Sequence, residues 1–238
     1  MYFTKMNTHG IFITGTGTDV GKTFVASFAL TLLKSLGHKA LYYKPIQCGP
    51  AIYEGDEYPG GDPEVIRDVL GHPDVTSTWL LSSPTSPHLA FPKDSRIYNP
   101  KPVHELLVSS RKHFEFIVME GAGGIRVPIS DGYEMTDLAK ASSFPVLVVA
   151  QPGLGTINHT LLTLEHLQAH HLPIAGFVFS ETRPDMISID PMAGDNANVI
   201  QTRSGIQFLG NIPRWEESWP ADAVKKHPLL DYFVRSVR

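Results

Sequence analysis

The segment from Gly15 to Thr23 constrains the fold of this chain more than any other feature of its sequence. It reads Gly-Thr-Gly-Thr-Asp-Val-Gly-Lys-Thr, it follows the apolar run at 10–14, and it precedes an amphipathic run that ends near Gly37. This order predicts a buried strand, a phosphate-binding loop and a helix capped by Gly37. Glycines permit the sharp turn, and free N–H groups at the start of the helix favour a bound phosphate.

Lys22 and Thr23 are the loop residues with a direct chemical role. A lysine at this position can reach the outer phosphates of a nucleotide, and the threonine hydroxyl can ligate Mg²⁺. The spacing is longer than the usual one, because five residues separate Gly15 from Gly21 where the common pattern has four. The alternative is a glycine-rich turn beside a surface lysine, which the flanking strand and helix disfavour.

Composition limits the classes of protein to which the chain can belong. It has 238 residues, 42% of them hydrophobic, and we expect one domain over residues 1–238. The formal net charge is −4 and no basic run occurs, which argues against nucleic acid as a partner. The longest apolar run, 146–150, is too short to cross a membrane, and no signal-peptide pattern is present, so we expect a cytoplasmic protein without a membrane partner. Cys48 is the one cysteine, which excludes an intrachain disulfide and a multi-cysteine metal site.

Strand-like and helical runs alternate along the chain. Strands are predicted at 10–14, 40–44, 114–120, 145–150, 174–179 and 206–212, and helices at 24–36, 62–70, 101–112 and 156–171. Residues 71–98 are expected to be irregular because Pro84, Pro87 and Pro92 exclude a long helix. The alternation predicts an α/β fold with a mostly parallel sheet and helices on both faces, in which ligands bind beyond the carboxyl ends of the strands.

We expect two further reactive side chains, those of Glu120 and Lys44, at that edge of the sheet, and a third, that of Asp62, in a flexible Gly-Gly-Asp-Pro segment. Glu120 ends an apolar strand, where it can bind magnesium or accept N–H groups of the glycines that follow. Asp62 can share the metal with Thr23 or act only as a helix N-cap. Lys44 also ends a strand, where it can offset the charge of a transferring phosphoryl group or be an ordinary surface lysine.

The helix predicted at 156–171 carries two features that have competing interpretations. The turn that precedes it, with Thr156 as N-cap, can hold a carboxylate or simply start the helix. His159, His166 and His170 have a spacing that permits metal ligation, but a polar helix face is the better interpretation, since no other ligand cluster accompanies them. We likewise expect Cys48 to be an inert thiol.

Together these segments resemble the dethiobiotin synthetase family. The matching segments are 14–23, 43–46 (Tyr-Lys-Pro-Ile), 84–88, 120–124 (Glu-Gly-Ala-Gly-Gly), 155–159 and 210–213. The resemblance implies a phosphate-loop NTPase fold and an ATP-dependent ligase of biotin synthesis. In that reaction 7,8-diaminononanoate takes up CO₂ as a carbamate, ATP phosphorylates the carbamate, and the second amine closes the ring to give dethiobiotin, ADP and phosphate.

The resemblance also implies roles for individual residues. Lys22 and Lys44 would stabilise the transferring phosphoryl group, while Thr23, Asp62 and Glu120 would hold Mg²⁺. The substrate would contact Cys48 and, across a homodimer interface, the turn formed by Gly155, Thr156, Ile157 and Asn158. The nucleotide would contact Thr18, Asp19, Val20, Gly21, Lys22, Thr23, Phe24, Asp62, Glu120, Gly121, Ala122, Gly123, Ser180 and Pro213.

Two positions depart from the family pattern. Cys48 stands where the family often has serine, and Ser180-Glu181 stands where it often has Asn-Asp. A serine hydroxyl cannot make the paired contact with adenine that an asparagine amide makes. We therefore expect phosphate binding to be kept and selectivity for the base to be weakened.

Two other classes of ATP-using protein share some of these features. Synthetases of cobyrinate or cobyrate amidation carry a long glutaminase domain with a catalytic cysteine, for which this chain has no room. Partitioning and septum-site ATPases are switch proteins with a lysine early in the phosphate loop, where this chain has Thr16-Gly17-Thr18. Such a switch would also be expected to carry a basic patch or an amphipathic membrane tail, and neither is evident.

Overall fold

A computed structural model describes residues 9–181 and 192–236. The strands are β1 His9–Gly15, β2 Ala40–Cys48, β3 Ala51–Tyr53, β4 Asp56–Tyr58, β5 Val75–Leu81, β6 Phe116–Gly124, β7 Pro128–Ser130, β8 Tyr133–Glu134, β9 Val146–Ala150, β10 Ile174–Ser180 and β11 Phe208–Ile212. The helices are α1 Lys22–Ser35, α2 Asp62–Glu64 with a π-helical turn at Val65–Val69, α3 Pro87–Lys93, α4 Pro100–Ser110, α5 Met135–Ser142, α6 Thr156–Ala169, α7 Ala193–Ser204, α8 Ala221–Lys226 and α9 Pro228–Ser236.

Seven of the strands form one sheet in the order β11-β10-β9-β1-β6-β2-β5, and every pairing in it is parallel. β3 pairs with β4, and β7 with β8, in two small antiparallel hairpins. This arrangement confirms the predicted parallel α/β sheet. Because β1 lies in the middle, the loop that follows it emerges at the centre of the carboxyl edge, with strand ends on both sides.

Apolar side chains fill both faces of the sheet, as alternation along β1 illustrates. Ile11 and Ile13 belong to the core layer that contains α1, whereas Phe12 belongs to the layer on the opposite face. All three side chains are fully buried. A strand covered on both sides needs apolar residues at successive positions, which explains why β1 reads as a continuous apolar run.

Helix α1 lies between the sheet and α9, which packs on its outer side. Phe28 meets the ring of Trp219 edge-on, with centroids 5.0 Å apart, and the ring of His227 at 4.9 Å. The Ser27 hydroxyl forms hydrogen bonds with His72 Nε2 at 3.0 Å and with Trp219 Nε1 at 3.2 Å. The phosphate-loop helix is therefore buried on nearly all sides.

The end of α1 confirms the predicted glycine cap. Gly37 has φ 82°. Its N–H donates to the carbonyl of Lys34, and the N–H of His38 donates to the carbonyl of Leu33, which is the hydrogen-bond pattern of a Schellman motif.

Several predicted element boundaries and secondary-structure assignments were wrong. Residues 71–98 are not irregular throughout, because they contain β5 and α3, and Pro87 is the first residue of α3, where proline fits well. Lys44 does not end its strand, because β2 continues through Pro45 to Cys48, and Gly121–Gly124 does not break β6, which continues to Gly124. Asp62 and Thr156 are first helical residues rather than N-caps, a position taken by Gly61 and Gly155, respectively. Helices α5, α7, α8 and α9 were not predicted.

None of the helices in the described ranges is long and apolar enough to cross a membrane.

Candidate active site

One cleft of about 890 Å³ opens beyond the carboxyl edge of the sheet and contains the phosphate loop. Most of the residues predicted from sequence line it together: Thr18, Asp19, Gly21, Lys22, Thr23, Phe24, Lys44, Cys48, Asp62, Glu120, Ala122, Gly123, Ser180 and Pro213. They come from six separate stretches of the chain. Their roles remain predictions, but their common location is a property of the fold.

Tight backbone contacts shape the phosphate loop. A Cβ on Gly15 would lie 2.6 Å from Val20 Cγ2 and 2.7 Å from the carbonyl oxygen of Gly17, so no side chain fits at the first position of the loop. Lys22 Nζ donates to the same Gly17 carbonyl at 3.1 Å. Burial lowers the pKa of Lys22, and the nearby carboxylate of Glu120 acts in the opposite direction.

Beside the loop, Lys44, Asp62 and Glu120 form a cluster that we call the charged wall. Lys44 Nζ donates to Glu120 Oε1 at 3.0 Å and also to Asp62 Oδ2. Thr23 Oγ1 donates to the same Glu120 oxygen at 3.3 Å, and the Tyr42 hydroxyl donates to Glu120 Oε2 at 2.9 Å. The phosphate loop and the charged wall are thus joined through one carboxylate.

The charges of this wall depend on one another because they are buried. Burial alone would lower the pKa of Lys44, but the carboxylates of Asp62 and Glu120 outweigh that effect and raise it. Burial raises the pKa of Glu120, and Lys44 counteracts this effect in part. Lys44 is therefore held in its charged form, and the position between the two carboxylates favours a cation.

A second set of contacts positions Asp62. Its backbone N–H donates to Gln47 Oε1 at 3.3 Å, and Gln47 Nε2 donates to the carbonyl of Gly49 at 2.8 Å. Gly61, directly before Asp62, has φ 69°, and a Cβ there would lie 2.2 Å from Gln47 Cδ. Gln47 therefore occupies space that only a glycine at position 61 leaves free.

The oxygen atoms near Lys44 are of the chemical type that magnesium prefers. The donors are the Thr23 hydroxyl and the carboxylates of Asp62 and Glu120, and Mg²⁺ prefers oxygen ligands. Lys44 already places a positive charge between these carboxylates. Within residues 9–181 and 192–236, no group of three or more His, Cys, Asp or Glu side chains could hold a metal. A metal here would thus need the hydroxyl, substrate phosphates or water to complete its coordination.

The opposite side of the cleft combines polar and aromatic residues. Ser180, at the end of β10, is only 2% exposed. The next residue, Glu181, donates its N–H to the carbonyl of Ile212 at 3.4 Å, and burial raises the pKa of its carboxyl. Tyr53 from β3 and Trp215, which follows β11, line the same side.

Some predicted site residues lie elsewhere. Gly155, Thr156, Ile157 and Asn158 do not line the cleft, and neither do Val20 and Gly121. Gly155 has φ 88° and is the N-cap of α6, in whose first turns the hydroxyls of Thr156 and Thr160 lie 3.4 Å apart. The side chain of Val20 packs into the core instead.

Cys48 was interpreted as an inert thiol, and the histidines at 166 and 170 as part of a polar helix face. Their surroundings in the structure are compatible with both interpretations. Burial raises the pKa of the Cys48 thiol to about 11, so the thiol is neutral near pH 7. His166 Nε2 forms a hydrogen bond with the Thr136 hydroxyl at 2.8 Å, and its ring lies 4.2 Å from that of His170.

The sequence analysis missed several residues of the site, among them Tyr42, Gln47, Tyr53 and Trp215. Tyr42 had a usable signal, because it precedes Lys44 by two positions and so lies on the same face of β2. Gln47 had a weaker one, as a polar residue inside a buried strand. Tyr53 and Trp215 gave no local signal, because only the tertiary fold brings them together.

A family model described as an AAA domain matches residues 9–221. The ATP-dependent dethiobiotin synthetase BioD of Anoxybacillus flavithermus is 36% identical over 225 residues, which cover 88% of this chain and 98% of that protein. The protein of the same name from Bacillus subtilis strain 168 is 32% identical over 209 residues, covering 86% of this chain and 87% of that protein.

Solved structures with a similar fold are more distant in sequence. The septum site-determining protein MinD of Pyrococcus horikoshii OT3, complexed with Mg-ADP, matches with a TM-score of 0.55 and 15% identity, covering 96% of this chain and 94% of that one. A ParA family ATPase from Chlorobium tepidum TLS matches with a TM-score of 0.53 and 16% identity, covering 97% and 91%. At this level of identity the likeness concerns the fold alone.

Proposed function

The chain belongs to the ATP-dependent dethiobiotin synthetase family, and from that premise we propose the reaction and the residues that carry it. The protein is a ligase of biotin biosynthesis that uses ATP to make dethiobiotin. Its substrates are 7,8-diaminononanoate and CO₂, which form a carbamate. A carbamate oxygen attacks the γ-phosphorus of ATP, ADP leaves, and the second amine then displaces phosphate as it closes the ring.

One observation supports this mechanism above all others: Thr23 of the phosphate loop and Lys44 of β2 bind the same carboxylate, that of Glu120. The nucleotide and the attacking group must meet at such a junction, because phosphoryl transfer depends on positioning and on neutralising charge. The cleft is large enough for both substrates, since ligand pockets typically measure about 300–1,000 Å³.

Two lysines act on the transferring phosphoryl group from different sides. Lys22 binds the outer phosphates from within the loop, where its Nζ already lies against the Gly17 carbonyl. Lys44 contacts the same group from β2 and stabilises the negative charge of the transition state. The two carboxylates that hold Lys44 in place also keep it charged.

Thr23, Asp62 and Glu120 would hold a magnesium ion together with the nucleotide. When bound, the ion neutralises charge on the phosphate oxygens. Tyr42 would keep the Glu120 carboxylate in a fixed orientation by its hydrogen bond to Oε2. ATP as a co-substrate also makes the cytoplasm the expected place of action.

The diamine occupies the part of the cleft beside Cys48, next to Lys44. The turn from Gly155 to Asn158 lies outside the cleft of its own chain. As the family resemblance implies, we propose that this turn reaches the cleft of a second subunit in a homodimer, where its N–H groups bind the carboxylate of the substrate.

The decisive experiment measures ADP and dethiobiotin in parallel. ADP release should require both 7,8-diaminononanoate and bicarbonate, and dethiobiotin should appear in equal amount. A fast ATPase rate without these substrates, and no dethiobiotin, would contradict the proposal and favour an ATP-driven switch.

A further inference from the structure

The phosphate loop divides the cleft into two sides. The sheet order places β6, β2 and β5 on one side of β1 and β9, β10 and β11 on the other. The charged wall comes from the first side, since Lys44 belongs to β2 and Glu120 to β6. If the transferring phosphoryl group faces this wall, the rest of the nucleotide extends towards the ends of β10 and β11.

Three aromatic rings follow one another on that second side. Phe24 comes directly after Thr23, and its ring centroid lies 5.7 Å from that of Tyr53. The Tyr53 ring in turn lies 6.0 Å from the ring of Trp215, at an interplanar angle of 64°. All three residues line the cleft and are only partly buried. Ring surface is thus left open within the cavity.

The hairpin of β3 and β4 explains how this wall forms. It leaves the end of β2, yet Tyr53 reaches the first turn of α1 and the segment after β11. Residues from three distant parts of the sequence therefore build one aromatic surface beside the phosphate loop.

We propose that Tyr53 and Trp215 form a stacking site for the base of the bound nucleotide. The inference rests on the nucleotide-binding part of the proposed function. Aromatic side chains stack on any base, because every base presents a π-face. Such a site suits a cleft in which Ser180 offers one hydroxyl, which cannot make the paired donor and acceptor contacts of an amide. Stacking supplies affinity on this side of the cleft, and it does so with little discrimination between bases.

The test compares a ligand that has a base with one that has none. Dissociation constants for ATP, CTP and inorganic tripolyphosphate are measured by calorimetry on the full chain and on Tyr53→Leu and Trp215→Leu. Each variant should weaken ATP and CTP by about tenfold, within the range for loss of one stacking partner. Tripolyphosphate should bind to all three proteins with the same affinity, within about twofold.

Tyr58→Leu is the matched control, because Tyr58 lies on the partner strand of the same hairpin and does not line the cleft. It should leave all three ligands unaffected. A second readout uses the unmodified protein and so does not depend on whether the variants fold. ATP should quench its tryptophan fluorescence, whereas tripolyphosphate should not.

Equal weakening of ATP and tripolyphosphate in the Tyr53 and Trp215 variants would overturn the stacking site, and so would unchanged ATP binding. The outcome is independent of the proposed reaction. A protein that binds ATP through these rings but makes no dethiobiotin would contradict the reaction and leave the stacking site standing.

Discussion

The two sides of the cleft are built on opposite principles. On the charged wall, one carboxylate, that of Glu120, is held by Thr23, Tyr42 and Lys44 at once. On the aromatic side, Tyr53 and Trp215 meet through ring contacts without a directed bond between them. On the side where we propose that bonds form and break, directed hydrogen bonds thus fix the positions of individual side-chain atoms. The other side provides mainly aromatic contact surface. Substitutions on the two sides should therefore differ in kind as well as in size.

The largest effect should come from Lys22→Ala, which removes the only lysine of the phosphate loop. We expect kcat/KM to fall by about a hundredfold or more, the loss typical of one preorganised electrostatic contact. Lys34→Ala, on the exposed side of the same helix, should leave turnover unchanged. Near-normal turnover in Lys22→Ala would mean that the loop does not bind the reacting phosphates.

Lys44→Met should affect the chemical step rather than nucleotide binding, since Lys44 lies outside the loop. We expect the single-turnover rate to fall by up to about a hundredfold, while the dissociation constant for ATP changes by less than about threefold. Both quantities must be measured on one preparation. An unchanged single-turnover rate would mean that Lys44 has only a structural role.

The same variant should change how stability depends on pH. Burial raises the pKa of Glu120 in the folded protein, so the folded state binds the proton more tightly than the unfolded state does. Stability is then greatest below the unfolded pKa and declines as pH rises towards the folded value. Without Lys44, the folded pKa rises further and the decline extends to higher pH.

Denaturant unfolding at about pH 5, 6.5 and 8 checks this expectation. Lys44→Met should lose about 3–5 kcal/mol near neutral pH, the usual cost of leaving a buried charge unpaired, and less at the acid end. Lys112→Met, an exposed lysine, is the control and should follow the unmodified protein. A loss that does not vary with pH would show that Glu120 does not titrate in this range.

On the base side, Ser180→Asn should sharpen selectivity. The unmodified protein should prefer ATP to CTP or GTP by less than about a thousandfold in kcat/KM, which corresponds to ~4 kcal/mol. Restoring an amide should increase the preference for ATP by about tenfold, the effect of one added hydrogen bond. Ser180→Ala should not. A strong preference for ATP in the unmodified protein would assign base reading to backbone groups near Pro213.

The smallest effect should come from Cys48→Ser. The thiol is neutral near pH 7, because burial raises its pKa to about 11, and no step of the mechanism needs it. Activity should stay within about threefold of the original, since the replacement is small and polar like the thiol. Complete loss, or a covalent adduct on Cys48 during turnover, would show that the cysteine takes part in the reaction.

The elements that were predictable from sequence are those with a complete local signal. β1 is apolar throughout because both of its faces are covered, and the end of α1 is marked by Gly37. β5 was missed because it is an edge strand that pairs only with β2 and keeps polar residues on its half-exposed surface. α5 has a capping box, but Glu134 and Asp137 form it rather than the more usual serine or threonine at the N-cap.

The glycines of β6 were expected to end the strand, and there is a physical reason why they do not. Gly124 pairs with Gly15 of β1, and a Cβ on Gly124 would lie 3.3 Å from the Gly15 carbonyl oxygen. These glycines allow two backbones to approach closely inside a sheet, whereas the sequence pattern indicated a break. The same local sequence therefore supports a turn or a close strand pair, and only the neighbouring strand decides between them.

Site residues divide in the same way. Lys22, Lys44 and Glu120 could be proposed one by one, because each follows or ends an apolar run in the sequence, although β2 and β6 continue four residues beyond Lys44 and Glu120. Their shared hydrogen bonds could not be predicted, since they depend on the register between β2 and β6. The ring contacts of Tyr53 and Trp215 join segments far apart in sequence, and no local pattern encodes them.

The packing of α1 against Trp219, His227 and α9 has a consequence for synthesis of the protein. The ring partners of Phe28, Trp219 and His227, lie beyond residue 218, and so does Trp219, one of the two side chains that bond the Ser27 hydroxyl. While a ribosome is still making those residues, the helix that follows the phosphate loop has an uncovered apolar side. The apolar surface of α1 therefore stays exposed on the nascent chain until α8 and α9 have been synthesised. During that interval we expect chaperones to bind it.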